Sequence, residues 1–313
     1  MEFLTSVSNP KLKRVAALQQ KARARREEKA FVIEGIRLFL DTPERLIREV
    51  YVSQELWEKA TAGTAEQDGR RETTEEICGL RHPAGCGSEG GHEAQLADKL
   101  GRLSAAGVFC AVLPEALLRR VSDTQTPQGV LCVVQRPKYT LEQLLGEEAG
   151  PSAANSHRAP LLLILEDIQD PGNLGTMIRT AEAAGATGIV MSAGTVDVTN
   201  PKTVRATMSA LFRLPFLYTD DMTGTMRRLQ EYGIKIYAAH LDGAVLYDAS
   251  FYIEGTAFLI GNEGSGLTPE TAAAANQRIY IPMQGQIESL NAAAAAGILL
   301  YEADRQRRHS VVP

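Results

Sequence analysis

Two glycine-containing loops in the second half of the chain carry residue types suited to binding an anion or a nucleotide. The first reads Asp-Pro-Gly-Asn-Leu-Gly over 170–175, and the second reads Gly-Asn-Glu-Gly-Ser-Gly-Leu-Thr over 261–268. Each follows an expected strand, and a helix that starts there points its first amides outward, where they attract negative charge. The first loop lacks the G-x-G-x-x-G spacing of dinucleotide sites, and the second has Leu267 where an NTPase needs lysine. We therefore expect neither of those two enzyme classes.

The loops belong to a set of motifs that occur in a fixed order. The set comprises DPGNLGTMIRTAEAAG over 170–185, GNEGSGL over 261–267, and IPM over 281–283 followed by SLN over 289–291. Together they resemble the three motifs of the SpoU/TrmH family of RNA ribose 2′-O-methyltransferases, within the SPOUT superfamily. With seven fixed positions, chance should produce the first motif on the order of once per million such chains. The resemblance covers residues 160–308. It extends loosely to 1–135, where FVIEG resembles the family's ribosomal-protein-like RNA-binding domain.

This resemblance implies an α/β fold in which the C-terminal part of a parallel sheet threads a loop to form a trefoil knot, an arrangement otherwise almost absent from proteins. It also implies a homodimer and a bound S-adenosylmethionine, bent in the knot and held mainly by backbone groups. Glycines permit the backbone to approach closely, and apolar side chains can form the walls of an adenine slot. The predicted cofactor-binding residues are Leu259, Gly261, Gly266, Ile281, Met283 and Leu290.

Ribose methylation requires a 2′-hydroxyl to lose its proton while it attacks a sulfonium methyl group. The site must therefore align the reactants and stabilise negative charge that develops on oxygen. By resemblance, Arg179 acts on the 2′-hydroxyl and the adjoining phosphate. Because arginine stays protonated, we expect it to clamp the phosphate, with the proton passing to a phosphate oxygen or to water.

Four further polar residues complete the predicted catalytic set. Asn173 is expected to cap its helix, to orient the hydroxyl, or both. Glu263 is expected either to pair with Arg179 or to order its loop. Ser289 and Asn291 begin the last helix, where their side chains cap it or face the substrate. The predicted catalytic residues are Arg179, Asn173, Glu263, Ser289 and Asn291.

Charge is distributed unevenly along the chain. The net charge is −5, yet the segment from Lys11 to Lys29 alone carries +6, which leaves −11 on the remainder. Such asymmetry suggests one segment that faces a polyanion, although a solvated helix face would have the same composition. In the NPKTVRA segment that begins at Asn200, Arg205 is a further candidate. The predicted RNA-binding residues are Lys11, Lys13, Arg14, Arg23, Arg25, Arg26 and Arg205.

Alternating patterns predict two domains joined by a linker, which a chain of 313 residues is long enough to form. Residues 1–137 are expected to form a mixed α/β domain, in which the Gly-rich stretch 61–107 is a flexible insertion. Residues 138–160 are expected to form a linker before a second α/β domain over 161–313. The resemblance implies that the first domain binds RNA and that the second is the SPOUT methyltransferase domain. Its strands are expected at 161–168, 186–192, 235–241, 257–261 and 278–283, with a helix over 174–185 that Asn173 caps.

Composition limits the remaining possibilities. At 44% hydrophobic and 23% charged residues the chain is typical of globular proteins, and no apolar run approaches the roughly 20 residues of a membrane helix. The N-terminus lacks the apolar segment of a secretion signal, so we expect a cytoplasmic protein. The spacing of Cys78, His82, Cys86 and His92 matches no familiar zinc pattern, and we predict no metal.

The leading hypothesis is therefore a 2′-O-methyltransferase acting on RNA, with ribosomal RNA as the expected substrate. Two alternatives remain open at this stage. One is an RNA-binding ribosome-assembly factor that retains the fold without activity, and the other is an enzyme of the same fold directed to tRNA. The basic segment of the N-terminal domain would bind phosphates in each case.

Overall fold

The computed structural model describes residues 1–67, 89–146, 159–242 and 245–310. The chain forms two compact units, Met1–Arg136 and Pro137–Pro313, each built around its own sheet. Within the described ranges, no helix combines the length and the apolar character needed to cross a membrane.

The first unit contains a mixed five-stranded sheet. Its strands are β1 (Glu2–Phe3), β2 (Ala30–Glu34), β3 (Ile47–Ser53), β4 (Phe109–Leu113) and β5 (Val130–Gln135). Its helices are α1 (Pro10–Gln20), α2 (Ala22–Glu28), α3 (Ile36–Asp41), α4 (Gln54–Gln67), α5 (Glu89–Ala105) and α6 (Glu115–Val121). The strand order is β1-β4-β3-β5-β2, with β5 antiparallel to both neighbours and the other pairs parallel.

Helix α5 corrects the prediction of a flexible insertion over 61–107. Leu96, Leu100 and Leu103 recur at helical spacing along one face of α5, and all three are buried. Lys99 on the same helix is also buried, and its ammonium group donates hydrogen bonds to three backbone carbonyls at the end of α3. Burial lowers the pKa of Lys99. The Gly-rich composition concealed this apolar period, so the insertion prediction is wrong for α5.

Of the four Cys and His residues for which no metal site is predicted, only one lies within the described residues. Cys78, His82 and Cys86 lie outside the described residues. His92 lies on α5 and is exposed. Among the described residues, no group of three or more potential ligands is close enough to hold a metal ion.

The second unit is built on a seven-stranded sheet in which every pairing is parallel. Its strands are β6 (Leu161–Leu165), β7 (Gly188–Ser192), β8 (Phe216–Thr219), β9 (Lys235–Ala239), β10 (Val245–Leu246), β11 (Thr256–Ile260) and β12 (Gln277–Tyr280). Its helices are α7 (Leu141–Leu145), α8 (Pro171–Ala183), α9 (Pro201–Ala206), α10 (Met222–Glu231), α11 (Pro269–Ala274) and α12 (Ala292–Ser310). The strand order is β10-β12-β9-β11-β6-β7-β8. The predicted α/β fold with a parallel sheet is confirmed.

Helix α7 corrects the prediction that 138–160 is a linker. Thr140 and Gln143 form a capping box at its start, and Leu141, Leu144 and Leu145 are buried in the core of the second unit. The apolar side chains of α7 therefore belong to the fold rather than to a solvated connection. Residues 147–158 of the predicted linker lie outside the described residues.

The central strands β6 and β11 position the predicted site. All ten of their residues are buried, and the two strands pair in parallel over their full length. Because parallel neighbours end at the same edge of a sheet, the segments that follow them are brought side by side. One segment is residues 166–170, which leads into α8; it is the first loop in the structure, because 171–175 of the predicted loop belong to α8. The other is the second loop, residues 261–268, which leads into α11.

Candidate active site

Helix α8 starts three residues earlier than the sequence predicts. Asp170, not Asn173, is its N-cap, and Pro171 is its first residue. One Asp170 carboxylate oxygen accepts a hydrogen bond from the Asn173 amide at 2.8 Å, and the other accepts one from the Lys202 ammonium at 3.1 Å. These contacts, the backbone amide first, lower the pKa of Asp170. The prediction that Asn173 caps α8 is therefore wrong, and its side chain is free for other contacts.

The side chain of Asn173 joins three separate elements. Its Nδ2 donates to Oε1 of Glu263 in the second loop at 3.0 Å, and its Oδ1 accepts from Nδ2 of Asn291 at 3.0 Å. The Oδ1 of Asn291 accepts from the first amides of α12, those of Ala293 at 2.9 Å and Ala294 at 3.2 Å. We call Asn173, Glu263 and Asn291 the amide network.

The chemistry of the donors fixes the orientation of both amide groups in this network. An ionised carboxylate only accepts hydrogen bonds, so the NH₂ group of Asn173 must face Glu263. Its oxygen then faces Asn291, which turns its own NH₂ group toward Asn173 and its oxygen toward the start of α12. Asn291 thus caps α12, which is one of its two predicted roles, and it also contacts Asn173; its role in facing the substrate stays a prediction.

Glu263 orders the first loop through hydrogen bonds to backbone amides. Its Oε2 accepts from the amide of Gln169 at 3.0 Å, and its Oε1 accepts from that of Asp170 at 3.1 Å. Partial burial acts to raise the pKa of Glu263, but the hydrogen bonds from Asn173 and these amides outweigh it and hold the pKa below its ordinary value. The predicted roles of Glu263 are to pair with Arg179 or to order its own loop, whereas these side-chain contacts order the neighbouring first loop.

Arg179 lies on α8, a turn and a half after Asn173, and is exposed. Among the described residues, none forms a hydrogen bond or an ion pair with its guanidinium group. An exposed cation without a protein partner is available to an anionic ligand.

The second loop closes on itself through Asn262 and Gly266. Their backbones exchange two hydrogen bonds of 3.0 Å, and the Asn262 side chain accepts from the amides of Gly264 and Ser265. A Cβ at Gly261 would lie 2.3 Å from the carbonyl carbon of Gly266, and Gly266 has a φ of +71°. Both predicted cofactor-binding glycines are therefore required by the shape of this loop.

The other predicted cofactor residues lie at the ends of strands or before a helix. Ile281 and Met283 follow β12 and are half-buried, and Leu290 is half-buried two residues before α12. Leu259 is fully buried in β11, where its side chain belongs to the core. Only the backbone of Leu259 could therefore face a ligand. Ser289 is exposed in the segment before α12, and its catalytic role remains a prediction.

Sequence reasoning missed Glu166 and Asn262, which connect the two loops. The Nδ2 of Asn262 donates to the backbone oxygen of Asp167 at 2.8 Å, and Glu166 is 6% exposed with hydrogen bonds to the start of α11. The available signal was an acidic residue placed directly after the apolar run of β6, since such a residue is buried only where partners satisfy it.

Contacts in the first unit correct part of the predicted RNA-binding set. Arg25 is buried, and its guanidinium donates to the carbonyls of Leu18 and Gln19 at 3.0 and 3.2 Å. It stabilises the end of α1 and is not available to RNA. The prediction for Arg25 is wrong because a charge pattern does not reveal which member of a basic run turns inward.

The remaining basic residues differ in their availability. Lys11 and Arg14 donate to the buried Glu49 carboxylate at 3.2 and 2.8 Å, so their charges are partly neutralised. Arg23 pairs with Glu27 on the exposed face of α2. Arg205 is half-buried at the end of α9. The exposed basic residues of the segment are Lys13, Lys21, Arg23, Arg26 and Lys29.

Each of the two units contains a match to a known protein family. The family model described as the SpoU rRNA Methylase family matches residues 160–301, and the MRM3-like substrate binding domain matches residues 9–79. The fold and the loops thus define a parallel-sheet methyltransferase class, with a separate module at the N-terminus.

Individual relatives support this assignment. The chain is 34% identical to the 23S rRNA (guanosine(2553)-2′-O)-methyltransferase RlmP of Bacillus subtilis, over 62% of this chain and 72% of that protein. It is 32% identical to the 23S rRNA (guanosine-2′-O-)-methyltransferase RlmB of Ralstonia nicotianae, over 71% and 86%. The AdoMet-bound rRNA methyltransferase from Sinorhizobium meliloti superposes with a TM-score of 0.73 at 29% identity, with 98% of both chains covered. The chain belongs to the SpoU rRNA methylase family.

A Glu263→Gln substitution tests the ordering role of this carboxylate. A glutamine cannot accept from all three donors without turning its own NH₂ group toward one of them, so we expect a loss of about 1 kcal/mol in unfolding free energy at pH 7. Because folding lowers the pKa of Glu263 below its ordinary value of 4.5, the stabilisation is present above that pH and is lost as the pH falls below it.

Urea denaturation of both proteins from pH 7 to pH 3.5, followed by circular dichroism, measures this difference. Glu231→Gln, at the exposed end of α10, is the matched control and should differ little from the wild type at any pH. A Glu263→Gln deficit that stays constant down to pH 3.5 would contradict the proposed source of the stabilisation.

Proposed function

We propose that this protein transfers a methyl group from S-adenosylmethionine to a ribose 2′-hydroxyl of ribosomal RNA. The amide network carries the proposal, because it joins the start of α8, the second loop and the start of α12, and because α8 also carries the exposed Arg179. The relatives, which include 23S rRNA 2′-O-methyltransferases, indicate the substrate class.

The residues around the second loop fit S-adenosylmethionine. The bridge between Asn262 and Gly266 closes the loop and uses their backbone groups, and the amides of Gly264 and Ser265 donate to Asn262. The other backbone groups of 261–267 are the ones proposed to face the ligand. Ile281, Met283 and Leu290 are half-buried and supply apolar surface for the adenine. When bound, this donor supplies a methyl group on a positively charged sulfur.

Arg179 is the proposed catalytic residue. Its guanidinium holds the phosphate next to the target ribose and stabilises negative charge as it develops on the 2′-oxygen. It does not accept the proton, which passes to a phosphate oxygen or to water. Asn173 has both ends of its amide engaged by Glu263 and Asn291, so in this state it positions the start of α8 rather than binding the hydroxyl.

Finer features of the fold and assembly belong to the same proposal. We infer that the segment before α12 threads the trefoil knot implied by the family resemblance, supported by the packing of α12 against α8 and β11. A homodimer, which the family resemblance implies, is part of the same proposal. Action in the cytoplasm is supported by the free, buried thiols of Cys110 and Cys132.

The first unit is proposed to bind RNA as a ribosomal-protein-like domain. The exposed cations at positions 13, 21, 23, 26 and 29 lie on or beside α1 and α2, within the span that matches a substrate-binding domain. Their contacts would be with phosphates, which position an RNA without reading its sequence.

Arg179→Ala should reduce methyl transfer from labelled S-adenosylmethionine to ribosomal RNA by about 100-fold or more, because a charge-stabilising group at the reacting oxygen is lost. The thermal midpoint should not change, since Arg179 is exposed. Arg227→Ala, which removes an exposed arginine of α10, is the matched control and should keep full activity. Full activity of Arg179→Ala would refute the mechanism. A wild-type chain that binds RNA without transferring methyl groups would instead favour the inactive assembly factor.

Neutralising Lys13, Lys21 and Arg26 together by glutamine should weaken RNA binding and reduce the dependence of log K on log salt by about two units, at roughly 0.7 per phosphate contact. Fluorescence anisotropy with an rRNA fragment across a salt series measures this slope. The control neutralises three other exposed arginines of the first unit, Arg102, Arg119 and Arg120. Equal slopes for the wild type and the first variant would exclude the basic segment as the RNA contact.

A further inference from the structure

Each of the two loops that follow β6 and β11 contains a glutamate whose carboxylate binds the other loop. The carboxylate of Glu263, in the second loop, accepts hydrogen bonds from the backbone amides of Gln169 and Asp170 just before α8. The carboxylate of Glu166, in the first loop, accepts a hydrogen bond from the backbone amide of Thr268 at the start of α11. Each loop thus supplies the carboxylate that satisfies backbone donors of the other.

The Glu166 carboxylate is satisfied by three donors from two threonines. Its Oε2 accepts from the Thr268 amide at 2.9 Å and from the Thr271 hydroxyl at 2.7 Å, and its Oε1 accepts from the Thr268 hydroxyl at 3.0 Å. The backbone amide of Glu166 donates to the carbonyl of Ile260 at 2.9 Å, which extends the pairing of β6 with β11 by one residue. Both ends of this residue are therefore fixed to the segment that contains the second loop.

Burial of the Glu166 carboxylate costs free energy unless all three hydrogen bonds to it are retained. A buried ionised group loses its hydration, and hydrogen bonds from the protein must replace it. Glu166 is 6% exposed and contacts neither the amide network nor the exposed Arg179. Its contacts fix the point where the second loop ends, at Thr268, while β11 fixes the point where the loop begins.

We propose that Glu166 is a positioning residue for the methyl donor: it holds the end of the second loop so that the backbone of 261–267 keeps the shape that binds S-adenosylmethionine. This inference rests on the proposed function. Because Glu166 binds Thr268 and Thr271, which follow the span it shapes, and touches no proposed reacting group, its loss should weaken binding of S-adenosylmethionine and leave turnover at saturation nearly intact. In a variant without the Glu166 hydrogen bonds, bound S-adenosylmethionine would itself select the loop shape that these bonds otherwise hold.

The test compares Glu166→Gln with the wild type in donor binding and in steady-state methyl transfer. We expect Kd for S-adenosylmethionine, measured calorimetrically without RNA, and KM for the donor both to rise about tenfold, while kcat changes less than about threefold. Thr271→Val removes one of the three hydrogen bonds to the Glu166 carboxylate with little change in side-chain shape. It should raise Kd and KM for S-adenosylmethionine by a smaller factor. This second variant keeps the test decisive if Glu166→Gln folds poorly.

Glu49→Gln is the matched control. Glu49 is a glutamate of the first unit with 8% exposure and three side-chain donors, from Lys11, Arg14 and Tyr51. It should lower the stability of that unit without altering Kd for the donor. An unchanged Kd in both Glu166→Gln and Thr271→Val, or a loss of kcat with constant KM, would overturn the inference alone. A wild-type chain that binds no S-adenosylmethionine would overturn the proposed function together with this inference.

Discussion

The hydrogen bonds of the Glu263 carboxylate connect the parts of the second unit that must act together. The carboxylate accepts from two amides of the first loop and from the side chain of Asn173, which in turn accepts from Asn291 at the start of α12. Glu263 and Asn173 are 90 positions apart, and Asn291 lies 118 positions after Asn173. Glu263 therefore links the start of α8 to the second loop directly, and links the start of α12 to it through Asn173 and Asn291.

The parallel pairing of β6 with β11 explains why a few polar side chains are enough to hold the two loops together. Strands β6 and β11 are buried neighbours that end at one edge, so the segments after them need only short polar contacts to be held together. Glu166 and Glu263 supply these contacts in opposite directions, and Asn262 adds a third between the loops. The arrangement leaves the exposed Arg179 on a helix whose start is fixed by the same contacts.

Motifs selected the candidate site from the sequence, but local rules misassigned several structural details around it. Asp170 and Asn173 are both good N-caps, and only Pro171 at the first helical position favoured Asp170. Thr140 and Gln143 have the spacing of a capping box, which would have predicted α7 inside a region whose later residues favour a linker. The burial of Arg25 and the hydrogen bonds of the amide network arise from tertiary packing, which no local pattern contains. The short strand β8 was missed because four residues give too little alternation to recognise.

A double-mutant cycle on Asn173 and Glu263 tests most directly whether this network acts as one unit. Methyl transfer at saturating donor would be measured for Asn173→Ala, Glu263→Gln and the double variant. If the contact between the two side chains positions α8, the double variant should be about as active as the poorer single variant, with a coupling energy of about 1 kcal/mol or more. Losses that simply multiply would contradict the account, because each residue would then contribute independently of the other.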